Sequence, residues 1–217
     1  MFTNREEAGK LLANKLINYK DNNDVVILAI PRGGVPVGYE LAKMLQVPLD
    51  VVLSKKIGHP FNKEYAIGAV TSKSIILSDA AFEVSKVYID DETEQIRDLL
   101  KKRHKLYHGD NKPIDLNNKI VILVDDGVAT GNTLISCVQL IALEKPSKII
   151  VALPVAPPSA LRKIREMPEV NEVICLSTPM NFQAVGQFYE EFDQVNDHEV
   201  IEILKKANEP FSLKKSK

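Results

Sequence analysis

Two adjacent carboxylates, Asp125 and Asp126, follow an unbroken apolar run and precede a turn of small and hydroxyl-bearing residues. Each aspartate offers acceptor oxygens that can chelate a vicinal diol, such as that of ribose, or help to hold a hydrated cation. The turn, residues 127–133, leads into an expected helix, whose free N–H groups and dipole favour a phosphate. This order of residues predicts a site for a sugar phosphate.

The turn itself can bind a phosphate without a lysine. Thr130 and Thr133 carry hydroxyls on either side of Gly131, and successive backbone N–H groups can form an anion-binding nest. The expected phosphate-binding residues are Val128, Ala129, Thr130, Gly131, Asn132 and Thr133. The alternative is a plain strand, turn and helix in which two solvated aspartates cap the helix.

Two better-known motifs share letters with this stretch and fail on spacing. A P-loop requires four residues between its glycines and then a lysine, whereas three residues separate Gly127 from Gly131 and no lysine follows. An aspartyl phosphatase needs its nucleophile two residues before the second aspartate, where Val124 stands. The sequence supports neither chemistry.

A second candidate anion site is the turn 31–34, Pro-Arg-Gly-Gly, which follows the apolar run 25–30. Arg32 provides a permanent charge with forked donors suited to a diphosphate. Gly33 and Gly34 allow unusual backbone angles and the close approach of a ligand. Taken alone, a tight turn with a solvated arginine is equally consistent with these residues.

Alternating strand and helix patterns surround these turns and must position them. Strands are expected near residues 25–30, 49–55, 66–70, 74–77, 120–124, 148–153 and 172–176. Helices are expected near 4–19, from Pro36, near 90–107 and near 132–143, the first opened by a capping box of Thr3 and Glu6. This α/β order predicts a mainly parallel sheet flanked by helices, with ligands bound where the strand C-termini meet.

The chain has 217 residues, of which 45% are hydrophobic and 26% charged, and a formal net charge of −1. We expect one domain, residues 1–217, with a frayed tail at 209–217. The charge balance indicates neither nucleic-acid nor membrane binding, and the basic run 97–105 fits a solvated helix face. Cys137 and Cys175 have no paired spacing, and no signal peptide is evident, so a cytoplasmic setting is expected.

The segment 124–133, Val-Asp-Asp-Gly-Val-Ala-Thr-Gly-Asn-Thr, resembles the phosphoribosyl-pyrophosphate (PRPP) signature of type I phosphoribosyltransferases. The rest of the chain is similar to one phosphoribosyltransferase family in particular, at residues 29–38, 56–58, 66–69 and 184–187. The resemblance covers most of residues 1–195. It implies a Rossmann-like phosphoribosyltransferase fold with a small hood at about 177–193.

The resemblance also implies roles for the turn 31–34. In the family this loop holds the pyrophosphate and commonly contains a strained cis peptide. Arg32, Gly33 and Gly34 are therefore expected to bind the pyrophosphate of PRPP.

Lys55 and Lys56 are expected to end the strand near 49–55, at the same edge of the sheet. They lead into a polar stretch, residues 57–65, which resembles the flexible loop that covers the reacting centre in the family and excludes water. Lys56 is the candidate pyrophosphate contact. The alternative is that both lysines are merely solvated.

The implied reaction is Mg²⁺-dependent transfer of the 5-phosphoribosyl group from PRPP to a nitrogenous acceptor. Breaking the C1–O bond builds positive charge on the ribose and negative charge on the pyrophosphate that leaves. Arg32, Lys56 and Mg²⁺ are expected at the pyrophosphate, and Asp125 and Asp126 at the ribose. The Mg²⁺ would arrive with PRPP, since no carboxylate cage is evident, and the histidines show no spacing for a transition metal.

The alternative function is a non-catalytic PRPP or nucleotide sensor on the same fold. Arg32 and the expected loop favour the enzyme. The expected partners are PRPP and a small-molecule acceptor, and a homodimer is left open. Ala129 stands where 6-oxopurine enzymes carry an aspartate for the purine N7, which disfavours hypoxanthine and guanine as acceptors.

An aromatic stretch at 178–189 follows the last expected strand and suits a hood over a planar acceptor. Phe182 is the candidate acceptor contact, because its ring could stack on such a group. The alternative is that Phe182, Phe188 and Tyr189 only seal a small satellite core.

Overall fold

The fold follows the expected alternation of strands and helices in a computed structural model that describes residues 1–109 and 111–212. Within these ranges the strands are β1 (Val25–Ala29), β2 (Leu49–Val51), β3 (Lys55–His59), β4 (Asn62–Val70), β5 (Ile75–Leu77), β6 (Ile120–Val124), β7 (Lys148–Val155) and β8 (Glu172–Ser177). The helices are α1 (Arg5–Lys15), α2 (Gly34–Leu45), α3 (Lys86–His108), α4 (Asn132–Ala142), α5 (Pro158–Arg165) and α6 (Asp197–Ser212).

Strands β2, β1, β6, β7 and β8 form a parallel sheet in that order. Helices α1, α2 and α6 pack on one face and α4 and α5 on the other, so a hydrophobic core lies on each side. Strand β1 is buried along its whole length, which explains its unbroken apolar sequence. The expected parallel sheet flanked by helices is confirmed.

The C-terminal ends of β1 and β6 border the crevice of this sheet. The chain leaves β1 through α2 towards β2 and leaves β6 through α4 towards β7, and the two crossovers diverge there. Ala29 and Val124 are paired at these ends, and the Ile30 N–H donates to the Val124 carbonyl at 2.8 Å. The turns 31–34 and 125–131 therefore lie side by side.

A second, antiparallel sheet of β3, β4 and β5 corrects the expectation for this part of the chain. The strand expected at 49–55 ends at Val51, and Lys55 and Lys56 instead begin β3. Residues 57–65 form the upper part of the β3–β4 hairpin rather than an irregular loop. The expected mobility of this segment stays a prediction.

The small sheet has its own hydrophobic cluster, which explains why the chain leaves the parallel sheet so early. Ile57 and Ile67 from β3 and β4 are fully buried against Ile96 and Leu100 of α3. Burying these side chains stabilises the antiparallel pairing, which local periodicity did not separate from a continued parallel strand.

Both ends of the chain differ in detail from the sequence predictions. The N-cap of α1 is Asn4, which accepts from the Glu7 N–H at 3.1 Å, so the cap lies one residue after the predicted Thr3, and the Glu7 carboxylate accepts the Thr3 N–H. Asparagine is a stronger cap than threonine. Of the tail expected to be frayed, residues up to Ser212 belong to α6, and 213–217 lie outside the described residues.

The helices differ from membrane-spanning segments in length or in polarity. Among the described residues, no helix combines the length and the apolar character that a membrane span requires.

Candidate functional site

The two predicted anion-binding turns meet through a pair of glycines. A Cβ on Gly33 would lie 2.0 Å from Oδ2 of Asp126, and one on Gly34 would lie 2.9 Å from the Val124 carbonyl oxygen. The φ angle of Gly33 is −61°, so the unusual backbone angle expected there is absent. These positions need glycine because the carboxylate and the β6 backbone occupy the space of a side chain.

The peptide bond between Pro31 and Arg32 is cis, as the resemblance implied for this loop. The Arg32 side chain is about one-third exposed, with Nη1 3.8 Å from Oδ1 of Asp197 at the start of α6. Asp197 also accepts a hydrogen bond from the Tyr107 hydroxyl at 2.5 Å. Burial and this hydrogen bond raise the pKa of Tyr107 to about 12, so Tyr107 remains a donor at neutral pH. Arg32 is thus held beside the turn and still accessible.

Asp125 is half-buried at the end of β6 and lies against the other turn. Its Oδ1 accepts the Asp126 N–H at 2.9 Å and would lie 3.3 Å from a Cβ on Gly34. Burial, and then the neighbouring charge of Asp126, raise the pKa of Asp125 well above its usual range. The site therefore contains a carboxylate whose charge is unfavourable until a positive group approaches.

Asp126 is paired with a residue that the sequence did not identify. Arg5 Nε donates to Asp126 Oδ2 at 2.8 Å, and the two side chains are only 11% and 13% exposed. Arg5 Nη1 also donates to the Asp193 carbonyl at 2.8 Å, and its guanidinium lies 3.8 Å from the centre of the Phe192 ring. A separation of 121 positions between Arg5 and Asp126 leaves no local pattern to reveal this pair.

The turn after the carboxylates is partly engaged by the protein itself. The buried Val128 donates its N–H to the Val155 carbonyl at 3.0 Å. This amide was expected to bind a phosphate, but its hydrogen bond within the protein makes it unavailable. Gly131 has a φ of 85°, a left-handed conformation that favours glycine, and precedes α4. The exposed residues of the turn are Ala129, Thr130, Asn132 and Thr133. With the free N–H groups of the first turn of α4, they form a surface suited to a phosphate.

The segment expected as a hood, residues 177–193, packs directly on the carboxylate turn. A Cβ on Gly127 would lie 2.5 Å from Cγ1 of Val185. The Tyr189 hydroxyl donates to the Asp126 carbonyl at 2.5 Å, and burial raises the pKa of Tyr189. The hood thus supports the backbone that carries both aspartates.

Phe182 lies in a small apolar cluster beside the site. Its ring centre is 5.1 Å from that of Phe188, and the buried Phe2 and Tyr189 belong to the same cluster. Phe182 is half-buried, so the satellite core that the sequence allowed covers part of its side chain. A contact between Phe182 and an acceptor stays a prediction.

Lys56 lies in β3 of the hairpin and not at the end of a strand of the central sheet. Its ammonium donates to Oε2 of Glu64 at 2.8 Å, and the two side chains are 44% and 91% exposed. The structure therefore brings Arg32, Gly33, Gly34, Asp125 and Asp126 together, whereas Lys56 pairs across the hairpin instead.

Metal-binding clusters are absent from residues 1–109 and 111–212. No group of three or more histidine, cysteine, aspartate or glutamate side chains there could hold a metal ion. The magnesium ion expected from the family resemblance stays a prediction, in which the phosphates of the ligand supply the oxygen donors.

Comparison with family models matches residues 3–187 to the phosphoribosyl transferase domain. A relative from Mycobacterium tuberculosis (strain CDC 1551 / Oshkosh), "Putative phosphoribosyl transferase MT0597", is 36% identical over 219 residues, covering 98% of this chain and 48% of that protein. The chain thus spans about half the length of the curated relatives it matches.

Solved structures share the fold. The crystal structure of TT1426 from Thermus thermophilus has a TM-score of 0.83 and 38% identity, covering 94% of this chain and 98% of that one. A hypothetical protein from Neisseria gonorrhoeae, solved with bound ppGpp, has a TM-score of 0.51 at 18% identity over 93% of this chain and 92% of that one. At that identity the second structure bears on the fold alone.

Proposed function

This chain belongs to the phosphoribosyl transferase domain family, and on that premise we propose that it transfers the 5-phosphoribosyl group of PRPP to a nitrogenous acceptor, with Mg²⁺, in the cytoplasm. The supporting observation is the direct contact between the turns 31–34 and 125–131. PRPP carries a diphosphate and a ribose diol on neighbouring carbons. A diphosphate-binding turn that touches a pair of carboxylates matches this arrangement.

The residues divide between the two charges that develop. The C1–O bond breaks with its electron pair on the pyrophosphate, where Arg32 and the backbone of Gly33 and Gly34 supply positive charge and donors. The C1–N bond forms to the acceptor while the carboxylates of Asp125 and Asp126 favour the positive ribose. Bound Mg²⁺ would neutralise part of the pyrophosphate charge.

The exposed part of the turn after β6 is proposed to bind the 5′-phosphate. Ala129, Thr130, Asn132 and Thr133 are accessible there, and the first turn of α4 adds free N–H groups. Gly131 allows the turn to enter the helix, and Val128 anchors it to β7. Neutral donors suffice for a phosphate monoester in such a nest.

The acceptor is proposed to lie under the hood, with the exposed side of Phe182 as a stacking surface. Ala129 brings no carboxylate to the purine N7, which argues against hypoxanthine and guanine. Lys56 would reach the pyrophosphate only after its ion pair with Glu64 breaks.

Replacing Phe182 by leucine should raise the KM for the acceptor and leave PRPP affinity unchanged. A lower thermal midpoint with unchanged kinetics would place Phe182 in the core.

The alternative, a PRPP or nucleotide sensor, draws support from the charge partners of the two candidate pyrophosphate cations. Arg32 lies near Asp197, and Lys56 pairs with Glu64. Carboxylates in these places could hold the cations away from a leaving group, so that ligand binds without turnover.

One experiment tests both functions. Pyrophosphate release from Mg²⁺-PRPP is measured with a panel of nitrogenous acceptors, alongside calorimetric PRPP binding, for the wild type and for the variant with Asp125→Asn and Asp126→Asn. We expect release with at least one acceptor and a loss in the double variant, which keeps its fold. Binding without release across the panel would favour the sensor, and absence of PRPP binding would contradict both functions.

A further inference from the structure

The two aspartates of the signature turn differ in their surroundings. Asp126 is nearly buried, and Oδ2 accepts from Arg5 Nε at 2.8 Å. The same oxygen occupies the position where Gly33 would carry a side chain, 2.0 Å from an added Cβ. The Asp126 carboxylate is therefore enclosed between a cation from α1 and the backbone of the pyrophosphate turn.

Arg5 is held in place on three sides. Besides Asp126, it donates to the Asp193 carbonyl at 2.8 Å and lies 3.8 Å from the centre of the Phe192 ring. It therefore links α1, the carboxylate turn and the end of the hood. A guanidinium with these three contacts does not move when a substrate binds, so it keeps the Asp126 carboxylate in one position.

Asp125 has no such cationic partner in direct contact within the described residues. Its Oδ1 accepts the backbone N–H of Asp126, and its side chain faces Gly34 from a half-buried position. Of the two carboxylates, this one retains acceptor capacity for a hydroxyl group of a ligand.

We infer that Arg5 is a positioning residue for the transfer reaction, which fixes Asp126 beneath the pyrophosphate turn and leaves Asp125 as the carboxylate that binds the ribose diol. The inference rests on the proposed function and refines it. The Asp126 carboxylate packs against Gly33 of the pyrophosphate turn. Arg5 therefore sets, through Asp126, the position of the pyrophosphate turn relative to the ribose site.

Burial and two charged neighbours shift the pKa of Asp125. Asp126 on the same turn raises its pKa, in addition to burial, whereas the charge of Arg5 from α1 lowers it. Burial raises the pKa values of Tyr189 of the hood and Cys137 of α4, and the charge of Asp125 raises them further. Removal of the Arg5 charge should therefore make the aspartate pair take up its first proton at higher pH.

The first test needs no substrate. Carboxyl ¹³C titrations by NMR compare the unliganded wild type with Arg5→Gln, Arg5→Lys and the matched control Lys10→Gln, which alters an exposed lysine on the same helix. We expect the first protonation of the pair to move to higher pH in Arg5→Gln and to stay near the wild-type value in Arg5→Lys and Lys10→Gln. An unshifted titration in Arg5→Gln would overturn the inference.

The second test separates the two aspartates. Calorimetry with Mg²⁺-PRPP should show about a hundredfold weaker binding for Asp125→Asn and less than about tenfold for Asp126→Asn, whose amide oxygen can still accept from Arg5. Arg5→Gln should bind about tenfold more weakly at neutral pH and recover as the pH rises. Equal losses for the two aspartate variants would overturn the division of roles.

Further outcomes distinguish this inference from the proposed function. If Arg5→Gln does not fold, the variant with both Arg5→Gln and Asp126→Asn, which removes both charges of the pair, is compared with Asp126→Asn alone. The Asp125 titration should then still move to higher pH when the Arg5 charge is removed, and an unshifted titration would overturn the inference. A wild-type protein that fails to bind PRPP would contradict the proposed function and the ribose role of Asp125. An unshifted titration in a protein that binds PRPP would contradict the role of Arg5 alone.

Discussion

The edge of the central sheet and the small antiparallel sheet treat charged side chains in opposite ways. At the edge, Arg5 and Asp126 pair with 11% and 13% of their side chains exposed. On the hairpin, Lys56 and Glu64 pair with 44% and 91% exposed. An exposed pair contributes little to stability, whereas a buried charge that loses its partner is costly. The edge should therefore be intolerant of substitution and the hairpin tolerant.

The hairpin is anchored to α3 close to its tip, and the tip itself is exposed. Lys63 donates to the Tyr88 hydroxyl at 2.6 Å and to Glu92 at 2.5 Å, and Tyr88 donates to the Gly58 carbonyl at 2.7 Å. Phe61 at the tip is 94% exposed. The charged helix α3 thus supports the hairpin, so the enclosed ion pair of the edge and the exposed ion pair of the hairpin lie on separate sheets.

The broadest effect, on both stability and binding, is expected at the edge, from Gly33→Ala. The added Cβ would meet the Asp126 carboxylate, which Arg5 holds, so the turn must shift at a cost of about 1–3 kcal/mol. Thermal unfolding and PRPP calorimetry should both show a loss. Arg32→Ala, which removes atoms from the same turn, should keep the wild-type midpoint; an equal midpoint for Gly33→Ala would show that the edge is less rigid than described.

Arg32→Ala should weaken binding selectively. The loss of one charge-assisted contact costs about 1.5–3 kcal/mol, and only pyrophosphate and PRPP carry the diphosphate. Calorimetry should therefore show a large loss for these two ligands and a small one for ribose 5-phosphate. Equal losses for all three would place Arg32 at the 5′-phosphate or in a structural role.

Asp125→Asn should stabilise the fold while it removes activity. The pKa of Asp125 is raised in the folded state, so the folded protein binds this proton more tightly than the unfolded chain, and stability falls as the pH rises through that window. Asparagine cannot ionise, so the variant should melt about 2–4 °C above the wild type at pH 8. The gain should vanish towards the ordinary pKa of aspartate, and a gain independent of pH would refute the electrostatic cause.

The smallest effect is expected on the hairpin, from Glu64→Gln. Loss of this exposed pair should change stability by less than about 1 kcal/mol, and the freed Lys56 should bind pyrophosphate slightly more tightly. Asp90→Asn, which breaks the exposed pair of Lys86 and Asp90 on α3, serves as the matched control. If both variants leave pyrophosphate binding unchanged, Lys56 is a solvated lysine with no part in the site.

The sequence predicted the elements whose signals are local. The apolar run of β6, the acidic pair after it and the small residues before α4 occur within fourteen positions, 120–133, so the strand, the turn and the helix follow from periodicity and turn chemistry. The same holds for β1 and the turn 31–34. These local patterns also carried the family resemblance, which the family match over residues 3–187 confirms.

Tertiary structure decided which groups are free to act. The pairing of Ala29 with Val124 puts the two turns in contact, the pairing of Val128 with β7 withdraws an amide from the predicted phosphate site, and Arg5 reaches Asp126 from a distant helix. Each is a contact between residues far apart in the chain, determined by how layers pack rather than by neighbouring letters. The sequence alone therefore specified the candidate chemical groups, and packing decided which of them remain available to a ligand, because a buried amide or carboxylate that is bonded and enclosed within the protein has less capacity left for a second partner.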